Sequence, residues 1–333
     1  MIDILTDNLE NISRASFIPW NDLKGKTIFI TGATGLIGRA LVKALCLVNQ
    51  ELHLHIRLIL LVRDIRKAER MFSELPNKDS IHFVVGNVES EMNIDEPVDY
   101  IIHGASQTAS REFVNHAVET IHTTVYGVDH ALMLAREKNV KSFVFLSSME
   151  VYGYPERGHM VSEEEIGTFS PLNLRNSYPI SKIMGEMLCF AYAKEYCIPA
   201  RIIRLTQIIG QDTDAQDPRF SAYLQRCAAE KKDIVLKTSG KTERCYLDVT
   251  DAVTAILTVL LKGKNGEVYN AADEKTYCSI SALAKRVAAE HEINVIFDHQ
   301  KELSDVYPKT FYINLNTYAI RALGWKPLRK TTE

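Results

Sequence analysis

The stretch Thr31–Gly38, which reads Thr-Gly-Ala-Thr-Gly-Leu-Ile-Gly, decides the fold that this sequence predicts. It follows a short β-branched run, Lys26–Ile30, and it opens a helical stretch over Leu36–Val48. In such a turn the first glycine allows a tight bend, the second lets the backbone approach a phosphate, and the third permits close helix–strand packing. The helix terminus adds free N–H donors and positive potential. Because both flanks fit, dinucleotide binding is favoured over a purely structural turn.

Short apolar strands alternate with helices along the chain after this turn. Further strands are predicted at Leu58–Val62, His82–Val85, Tyr100–His103, Ser142–Ser147 and Arg201–Leu205. Helical patterns lie between the later strands, at Phe113–Lys138 and Tyr178–Tyr196. This alternation is typical of parallel βαβ units with both faces of the sheet covered. The predicted fold is therefore α/β, a doubly wound, Rossmann-type parallel sheet.

The alternation weakens beyond Gly210, where the sequence predicts helices at Phe220–Lys231, Asp248–Lys262 and Ser279–His291. We expect a smaller carboxy-terminal lobe there, interleaved with the sheet. The expected organisation is an amino-terminal extension over residues 1–24, a dinucleotide-binding domain over residues 25–206, and a mainly substrate-binding lobe over residues 207–333.

The composition excludes several classes of protein. The 333 residues are 46% hydrophobic and 24% charged, with a net charge of −3 and no basic block, so we expect no nucleic-acid partner. Six scattered cysteines without a Cys-x-x-Cys pair indicate reduced thiols, and neither a disulfide framework nor a metal site. The sequence shows no signal peptide and no apolar run long enough to span a membrane. We expect a cytoplasmic protein.

The end of the second strand bears on the choice of nicotinamide cofactor. An acidic residue at this point would bind the ribose 2′-hydroxyl of NAD, whereas a guanidinium suits the 2′-phosphate of NADP. The strand Leu58–Val62 is followed by Arg63 and then by Asp64. The sequence therefore favours NADP(H), and NAD(H) is the alternative if Asp64 makes the contact.

A tyrosine and a lysine four residues apart, Tyr178 and Lys182, open a predicted helix and share one of its faces. A phenol has a pKa of about 10, and a nearby cation lowers the pKa by stabilising phenolate. The pair alone is common on solvated helices, but here it follows a serine-rich strand end, Leu146–Gly153, that contains Ser148. Together they indicate an acid–base centre.

These motifs resemble the extended branch of the short-chain dehydrogenase/reductase superfamily, the NAD(P)-dependent nucleotide-sugar epimerase/dehydratase family. The resemblance rests on the Gly-x-x-Gly-x-x-Gly spacing, Val151-Tyr152-Gly153 and Tyr178-x-x-x-Lys182, and it runs from about Lys26 to Pro327. It implies a nucleotide-activated substrate and a homodimer formed through helices that include the Tyr-x-x-x-Lys segment.

The motifs and the resemblance together imply three groups of site residues. The catalytic candidates are Ser148, Tyr178, Lys182 and Glu150. The cofactor-binding candidates are Gly32, Thr34, Gly35, Leu36, Ile37, Gly38, Arg63, Asp64, Asn87, Val88, Gly104, Ala105, Ser106, Tyr178 and Lys182. The substrate-binding candidates are Gln207 and Arg244, the latter because the corresponding arginine of relatives grips the substrate's diphosphate. Glu150 also has a plainer interpretation, as an exposed carboxylate after a strand.

The residue before Glu150 bears on the reaction. The resemblance implies an aspartate there in 4,6-dehydratases, but this chain has Met149, and a thioether cannot protonate a leaving hydroxyl. Decarboxylases of the family also keep the glutamate without the aspartate. Combined with the preference for NADP(H), the best prediction is NADPH-dependent reduction of a nucleotide-linked keto sugar or a related activated polyol precursor. The alternatives are an NAD-retaining epimerase, a decarboxylase, less favoured a 4,6-dehydratase, or an NADP-sensing regulatory protein.

Overall fold

A computed structural model of the chain describes residues 9–210, 219–298 and 309–328. The strands, in chain order, are β1 (Thr27–Thr31), β2 (Arg57–Val62), β3 (Ile81–Val85), β4 (Tyr100–His103), β5 (Ser142–Ser148), β6 (Met160–Val161), β7 (Ala200–Leu205), β8 (Gln207–Ile209), β9 (Ile234–Leu236), β10 (Glu243–Asp248), β11 (Val268–Ala271), β12 (Asp273–Ser279), β13 (Val295–Phe297) and β14 (Tyr312–Leu315). The α-helices are α1 (Leu36–Leu52), α2 (Ile65–Phe72), α3 (Glu112–Asn115), α4 (Ala117–Glu137), α5 (Ser177–Glu195), α6 (Phe220–Glu230), α7 (Val249–Lys262), α8 (Ile280–His291) and α9 (Tyr318–Ala322).

The large sheet is parallel throughout, in the order β11-β7-β5-β4-β1-β2-β3. The chain runs outward from β1 through β2 to β3, and then from β4 on the other side of β1 toward β11. The strand order therefore reverses between β1 and β4. In open α/β sheets the crevice outside the carboxyl ends of the strands at such a reversal is where ligands bind. The predicted doubly wound sheet is confirmed.

Helices cover both faces of this sheet because its central strands are apolar on both sides. In β1, which is buried along its whole length, Ile28 and Ile30 pack in the core shared with α1 and α7. Phe29 points the other way, into the core shared with α4 and α5. This alternation follows from the two-residue period of a strand. The sheet and its two helix layers together position the carboxyl edge, where the predicted cofactor-binding and catalytic residues lie.

Two local features differ from the sequence-based expectations. The seventh strand of the sheet, β11, was not predicted as a strand, because its four residues include a polar asparagine and follow a glycine turn. The long helix predicted at Phe113–Lys138 is divided into α3 and α4 at His116, whose backbone leaves the helical region (φ −134°, ψ 52°). The amino-terminal extension forms short 3-10 helices at Leu9–Arg14 and Trp20–Leu23, and Trp20 packs in the core beside α1.

The smaller sheet contains strands from both the expected dinucleotide-binding domain and the expected carboxy-terminal lobe. Its order is β12-β10-β14-β6, with β8 also paired to β10. The strand β6 comes from the segment between β5 and α5, whereas β11 lies in the large sheet although it follows α7. The smaller, interleaved lobe is thus present, and the domain boundaries at residues 24 and 206 stay predictions. Residues 1–8 of the expected extension, and residues 211–218, 299–308 and 329–333 of the expected lobe, lie outside the described residues.

The described part of the chain lacks some features that other proteins use for anchoring or stability. No helix in it has both the length and the apolar character needed to cross a membrane. Nor does it bring together three or more His, Cys, Asp or Glu side chains that could hold a metal ion. All six cysteines are free thiols.

Candidate active site

The register of the large sheet aligns the ends of its central strands. Thr31, the last residue of β1, pairs with His103, the last residue of β4. His103 in turn pairs with Phe145 in β5. The segments that follow β1, β2, β3, β4 and β5 therefore emerge at the same edge. The cofactor-binding and catalytic candidates predicted from the sequence lie at the end of β5, in these segments, or in the first two turns of α1 and α5.

Each of the three glycines in the turn after β1 is suited to its position for a different structural reason. Gly32 has a φ of +74°, and a Cβ there would come within 2.7 Å of the Gly104 backbone. A Cβ on Gly38 would overlap the carbonyl oxygen of Gly32, so this glycine allows α1 to pack on the turn. Gly35 has open space, since only the Gly32 carbonyl oxygen lies near a Cβ built there, at 3.4 Å. The geometry leaves a cradle at Gly35 that a side chain would fill.

The first turn of α1 faces this cradle. Gly35 is the N-cap of α1, and no side chain caps the helix, so its first N–H groups have no side-chain acceptor. A helix terminus of this kind attracts anions through its N–H groups and its dipole. The residues present therefore fit the pyrophosphate of a dinucleotide cofactor, with Leu36 and Ile37 supplying backbone donors beside Gly35.

Thr31 and His103 tie the turn after β1 to the segment after β4. The Thr31 hydroxyl oxygen accepts hydrogen bonds from the N–H groups of Gly104 and Ala105, both at 3.2 Å, and lies 3.0 Å from Nδ1 of His103. Burial, and then the charge of Lys182, lower the pKa of His103 to about 3, so its ring is neutral. Ser106 follows and lies 3.2 Å from the Thr124 hydroxyl. Gly104, Ala105 and Ser106 are partly exposed beside the Gly35 cradle.

Arg63 and Asp64 differ in the contacts they make at the end of β2. Asp64 is the N-cap of α2, and its Oδ1 accepts a hydrogen bond from the Lys67 N–H at 3.0 Å. The exposed Arg63 forms no hydrogen bond or ion pair with any residue that the structure describes. After β3, Asn87 is exposed and accepts a bond from the Glu89 N–H, whereas Val88 is buried. Arg63 is thus an exposed cation at this edge that has no partner among the described residues and could meet an anion.

Ser148, Tyr178 and Lys182 lie together at the end of β5. Ser148 is the last residue of β5, and its hydroxyl hydrogen-bonds the phenol of Tyr178 from the first turn of α5. Lys182, one turn further along α5, is buried and donates a hydrogen bond to the Leu146 carbonyl oxygen at 2.8 Å. Its Nζ is 5.7 Å from the centroid of the Tyr178 ring. The three predicted residues are therefore neighbours.

The pKa values of Tyr178 and Lys182 differ from the expectation that a nearby cation lowers the pKa of the phenol. Burial, and then the charge of Glu150, raise the pKa of Tyr178 above its ordinary value, and the hydrogen bond with Ser148 and the charge of Arg175 only partly oppose this. Burial also lowers the pKa of Lys182 to about 7. Lys182 is not among the groups that shift the pKa of Tyr178, and its Nζ donates to the Leu146 carbonyl oxygen. The raised pKa favours the protonated phenol of Tyr178.

Glu150 has a partner that the sequence did not reveal. Arg175 donates from its two terminal nitrogens to the two carboxylate oxygens of Glu150, at 3.0 and 3.1 Å. The same guanidinium lies over the ring of Phe113, 4.9 Å from its centroid. Phe113 stacks on Tyr178, with ring centroids 4.4 Å apart and an interplanar angle of 4°. Neither Arg175 nor Phe113 was a candidate, since no spacing rule links them to Glu150 or Tyr178.

Met149 is turned into the protein. Its side chain is buried in a small apolar core with Val151, Tyr152 and Val161. Its sulfur lies 3.4 Å from the hydroxyl of Thr206. Where the resemblance would place an aspartate in a dehydratase, the chain therefore has a buried group that can neither donate nor accept a proton in catalysis.

A buried polar network lies beneath the end of β5 and includes Tyr152 of the Val151-Tyr152-Gly153 motif. Arg204 forms a bidentate ion pair with Glu186 at 2.8–3.0 Å and donates to the Tyr152 hydroxyl at 2.9 Å. The network continues at both ends, because Ser147 donates to Glu186 at 2.6 Å and Tyr152 donates to Asn270 at 2.7 Å. It joins β5, α5, β7 and β11 and so supports the segment that carries Ser148.

The two substrate-binding candidates lie in the smaller sheet. Gln207 begins β8 and pairs with Tyr246 of β10. Arg244, also in β10, forms no ion pair with a described residue, and its guanidinium lies 5.7 and 5.9 Å from the ring centroids of Tyr246 and Phe311. Its buried Nε has no hydrogen-bond partner among the described residues. Arg244 therefore has no carboxylate partner among the described residues, as is expected of an arginine that binds an anion.

Known proteins resemble the chain over most of its length. The chain is 28% identical over 328 residues to a human dTDP-D-glucose 4,6-dehydratase, covering 93% of this chain and 88% of the relative. It is 23% identical to a UDP-glucuronic acid decarboxylase 1 of Xenopus tropicalis, covering 97% of this chain and 75% of the relative. A UDP-glucose 4-epimerase of Thermotoga maritima, 21% identical, has the same fold with a TM-score of 0.74, covering 91% of this chain and 94% of that one.

The family model agrees with these likenesses. The model of the NAD dependent epimerase/dehydratase family matches residues 28–272, which include the glycine turn, Ser148, Tyr178 and Lys182. The match confirms the family and the class of enzyme expected from the sequence, whereas the roles of individual residues stay predictions. The chain belongs to the NAD dependent epimerase/dehydratase family and is an enzyme of the extended short-chain dehydrogenase/reductase type.

Proposed function

We propose that this enzyme reduces the keto group of a nucleotide-linked sugar, or of a related activated polyol precursor, with NADPH as the reductant. The observation that carries the proposal is the arrangement at the end of β2. Asp64 is engaged in capping α2, and Arg63 is exposed beside it without a partner among the described residues. A free guanidinium at this point suits the 2′-phosphate of NADP. Enzymes that consume a reduced cofactor in each cycle commonly use NADPH.

The proposed chemistry assigns one task to each residue at the end of β5. Ser148 would donate a hydrogen bond to the substrate carbonyl oxygen, and Tyr178 would give the proton that turns the developing alkoxide into a hydroxyl. Lys182 would bind the nicotinamide ribose and stabilise the tyrosine after it has lost its proton. The reduced nicotinamide, when bound, supplies the hydride to the carbonyl carbon. Burial and Glu150 raise the pKa of Tyr178, which keeps the phenol protonated before the reaction, as a proton donor has to be.

The neighbours of Ser148 weigh against the elimination of water. A dehydratase of this family needs an acid at the position of Met149, and the Met149 side chain is buried and cannot ionise. A decarboxylase is the second candidate, because such relatives keep the glutamate without the aspartate. An NAD-retaining epimerase also stays an alternative. An NADP-sensing regulatory protein is the least supported, since it would not need Ser148, Tyr178 and Lys182 together.

Arg244 is the proposed contact for the diphosphate of the substrate, with Gln207 beside it in the same small sheet. The support is that Arg244 forms no ion pair with a described residue and has a buried, unpartnered Nε. A guanidinium can bind phosphate oxygens with two parallel hydrogen bonds. The identity of the nucleotide and of the sugar is left open by this proposal.

A homodimer through α4 and α5 is also proposed. These two adjacent helices expose a set of large apolar side chains that a partner would cover: Val118, Ile121, Tyr126, Met133, Met184, Met187 and Phe190. Exposed apolar area of this kind often marks a contact between subunits. The expected result is a dimer mass in light scattering after gel filtration.

We expect Arg63→Ala to weaken the binding of NADP by about 10- to 100-fold and the binding of NAD by less than about threefold. The reason is that only NADP carries the phosphate that the guanidinium would hold. Titration of the purified protein with each cofactor measures both constants. Arg66→Ala, which removes another exposed arginine from the start of α2, serves as the matched control and should change neither constant. Equal losses for NADP and NAD in Arg63→Ala would contradict the NADP assignment.

The reaction itself is tested by following the absorbance of reduced nicotinamide with a panel of nucleotide-linked keto sugars, using NADPH and NADH separately. A reductase consumes one NADPH for each molecule of product. Product formed without a net change of cofactor would instead favour the epimerase, and carbon dioxide release from a nucleotide-linked uronic acid would favour the decarboxylase.

A further inference from the structure

Arg175 connects Glu150 with Tyr178 through a set of direct contacts. The guanidinium binds both oxygens of the Glu150 carboxylate and lies on one face of the Phe113 ring. The other neighbour of that ring is Tyr178, stacked with an interplanar angle of only 4°. These contacts join four segments of the chain: the short 3-10 helices Met149–Tyr152 and Leu174–Asn176, the helix α3 and the first turn of α5.

The pair of Arg175 and Glu150 is largely removed from solvent. The Arg175 side chain is 8% exposed and the Glu150 side chain 26%. Two parallel charge-assisted hydrogen bonds hold the carboxylate, and both would be weakened if Glu150 took up a proton. Breaking such a pair at one partner leaves an uncompensated charge in a poorly solvated place, which costs more than removing both partners.

We propose that Arg175 is a positioning residue for Tyr178, and that Glu150, held by Arg175, serves as a fixed countercharge and not as a general base. This inference rests on the proposed function, since it describes how the proton donor of that reaction is oriented. Phe113, held between Arg175 and Tyr178, sets the plane of the phenol beside Ser148. Glu150 and Arg175 form a neutral pair next to the phenol, so that neither charge acts on it alone.

The charged groups that face Tyr178 among the described residues are Glu150, Arg175 and Lys182. Glu150 raises the pKa of the phenol and Arg175 lowers it, so their effects oppose one another. Lys182 lies on the same helix, 5.7 Å from the ring centroid, and its ammonium bonds the Leu146 carbonyl. Loss of Arg175 would therefore leave the Glu150 carboxylate as the nearest unopposed charge.

We expect Arg175→Met to lower kcat by about 10- to 100-fold at pH 8, because the phenol loses its fixed plane and faces an unpaired carboxylate. Cofactor affinity should stay within about threefold of wild type. The reason is that Arg175 contacts Phe113, which stacks on Tyr178, and has no direct contact with the other cofactor-binding candidates.

Two further variants separate positioning from a purely structural role. Glu150→Gln combined with Arg175→Met removes both charges, and we expect it to recover most of the lost kcat. Arg157→Met is the matched control, because it breaks an exposed Arg–Glu pair, with Glu243, outside the site. Its kcat and its pH profile should equal those of wild type, and thermal unfolding of each variant shows whether it is folded.

The outcome for Glu150→Gln alone is decisive for the role of the carboxylate. We expect it to retain turnover within about tenfold of wild type, because a fixed charge is less costly to lose than a proton-transfer group. Turnover as low as that of Tyr178→Phe would overturn the inference, and so would a double variant no better than Arg175→Met. If wild type reduces no keto sugar but converts another nucleotide sugar, the proposed function fails, and the same comparison of kcat is made on that reaction.

Discussion

Tyr178→Phe is expected to lower turnover by about 10³-fold or more, because it removes the proposed proton donor. Phenylalanine keeps the ring that stacks on Phe113 at 4.4 Å, so the packing around the site is preserved. Only the hydroxyl that hydrogen-bonds Ser148 is lost. Such a loss corresponds to about 4 kcal/mol of transition-state stabilisation. Steady-state rates of the wild type and the variant, at saturating cofactor, measure it.

Cofactor binding provides the control for this variant. The affinity of Tyr178→Phe for NADPH should remain within about threefold of wild type, since the phenol is one of many contacts. Tyr192→Phe is the matched substitution on the same helix, where the hydroxyl donates to Asp129 at 2.7 Å outside the site. Its turnover should be unchanged. A Tyr178→Phe variant that keeps turnover would show that another group is the acid.

Gly35→Ala is expected to weaken the binding of either nicotinamide dinucleotide by about 10- to 100-fold, because its methyl group enters the cradle and displaces a phosphate from the backbone N–H groups. The ligand-free protein should fold normally. Gly35 has a φ of −79°, which any residue can adopt, and the nearest atom to an added Cβ is 3.4 Å away. Titration with NADPH and thermal unfolding of the ligand-free protein measure the two properties separately.

Gly38→Ala gives the contrasting result that makes the previous prediction specific. A Cβ on Gly38 would overlap the Gly32 carbonyl oxygen, so α1 must move away from the turn. We expect the free energy of unfolding of the ligand-free protein to fall by about 1–3 kcal/mol, as is typical of overpacking. The midpoint of its thermal unfolding should fall accordingly. If Gly35→Ala instead lowered the midpoint and bound cofactor normally, the cradle would not be the phosphate site.

The periodicity of the sequence was sufficient to predict most of the large sheet. Runs such as Leu58–Val62 and Tyr100–His103 are apolar on both faces, so they indicate buried parallel strands without reference to the rest of the chain. The same pattern does not predict the strand β11, because Asn270 interrupts its apolar run. That asparagine is buried for a reason that only the folded chain shows, namely its hydrogen bond from the Tyr152 hydroxyl.

The site was predicted in part for the same reason. Gly32, Gly35, Gly38, Tyr178 and Lys182 belong to local motifs whose spacing follows from turn and helix geometry. The partners of Glu150 could not be found in this way, since Arg175 and Glu150 are 25 residues apart and meet through the packing of two short 3-10 helices. The protonated state of Tyr178 also depends on burial, which a sequence motif does not specify.

The central claim, NADPH-dependent reduction of a nucleotide-linked keto sugar, is tested most directly by tracing the transferred hydrogen. The enzyme is incubated with a nucleotide-linked keto sugar and with NADPH carrying deuterium at the transferred position, and the product is analysed by mass spectrometry. We expect one deuterium in the product for each NADPH oxidised, and none when the variant is Tyr178→Phe. Product that carries no deuterium, formed while the amount of NADPH stays constant, would contradict the claim.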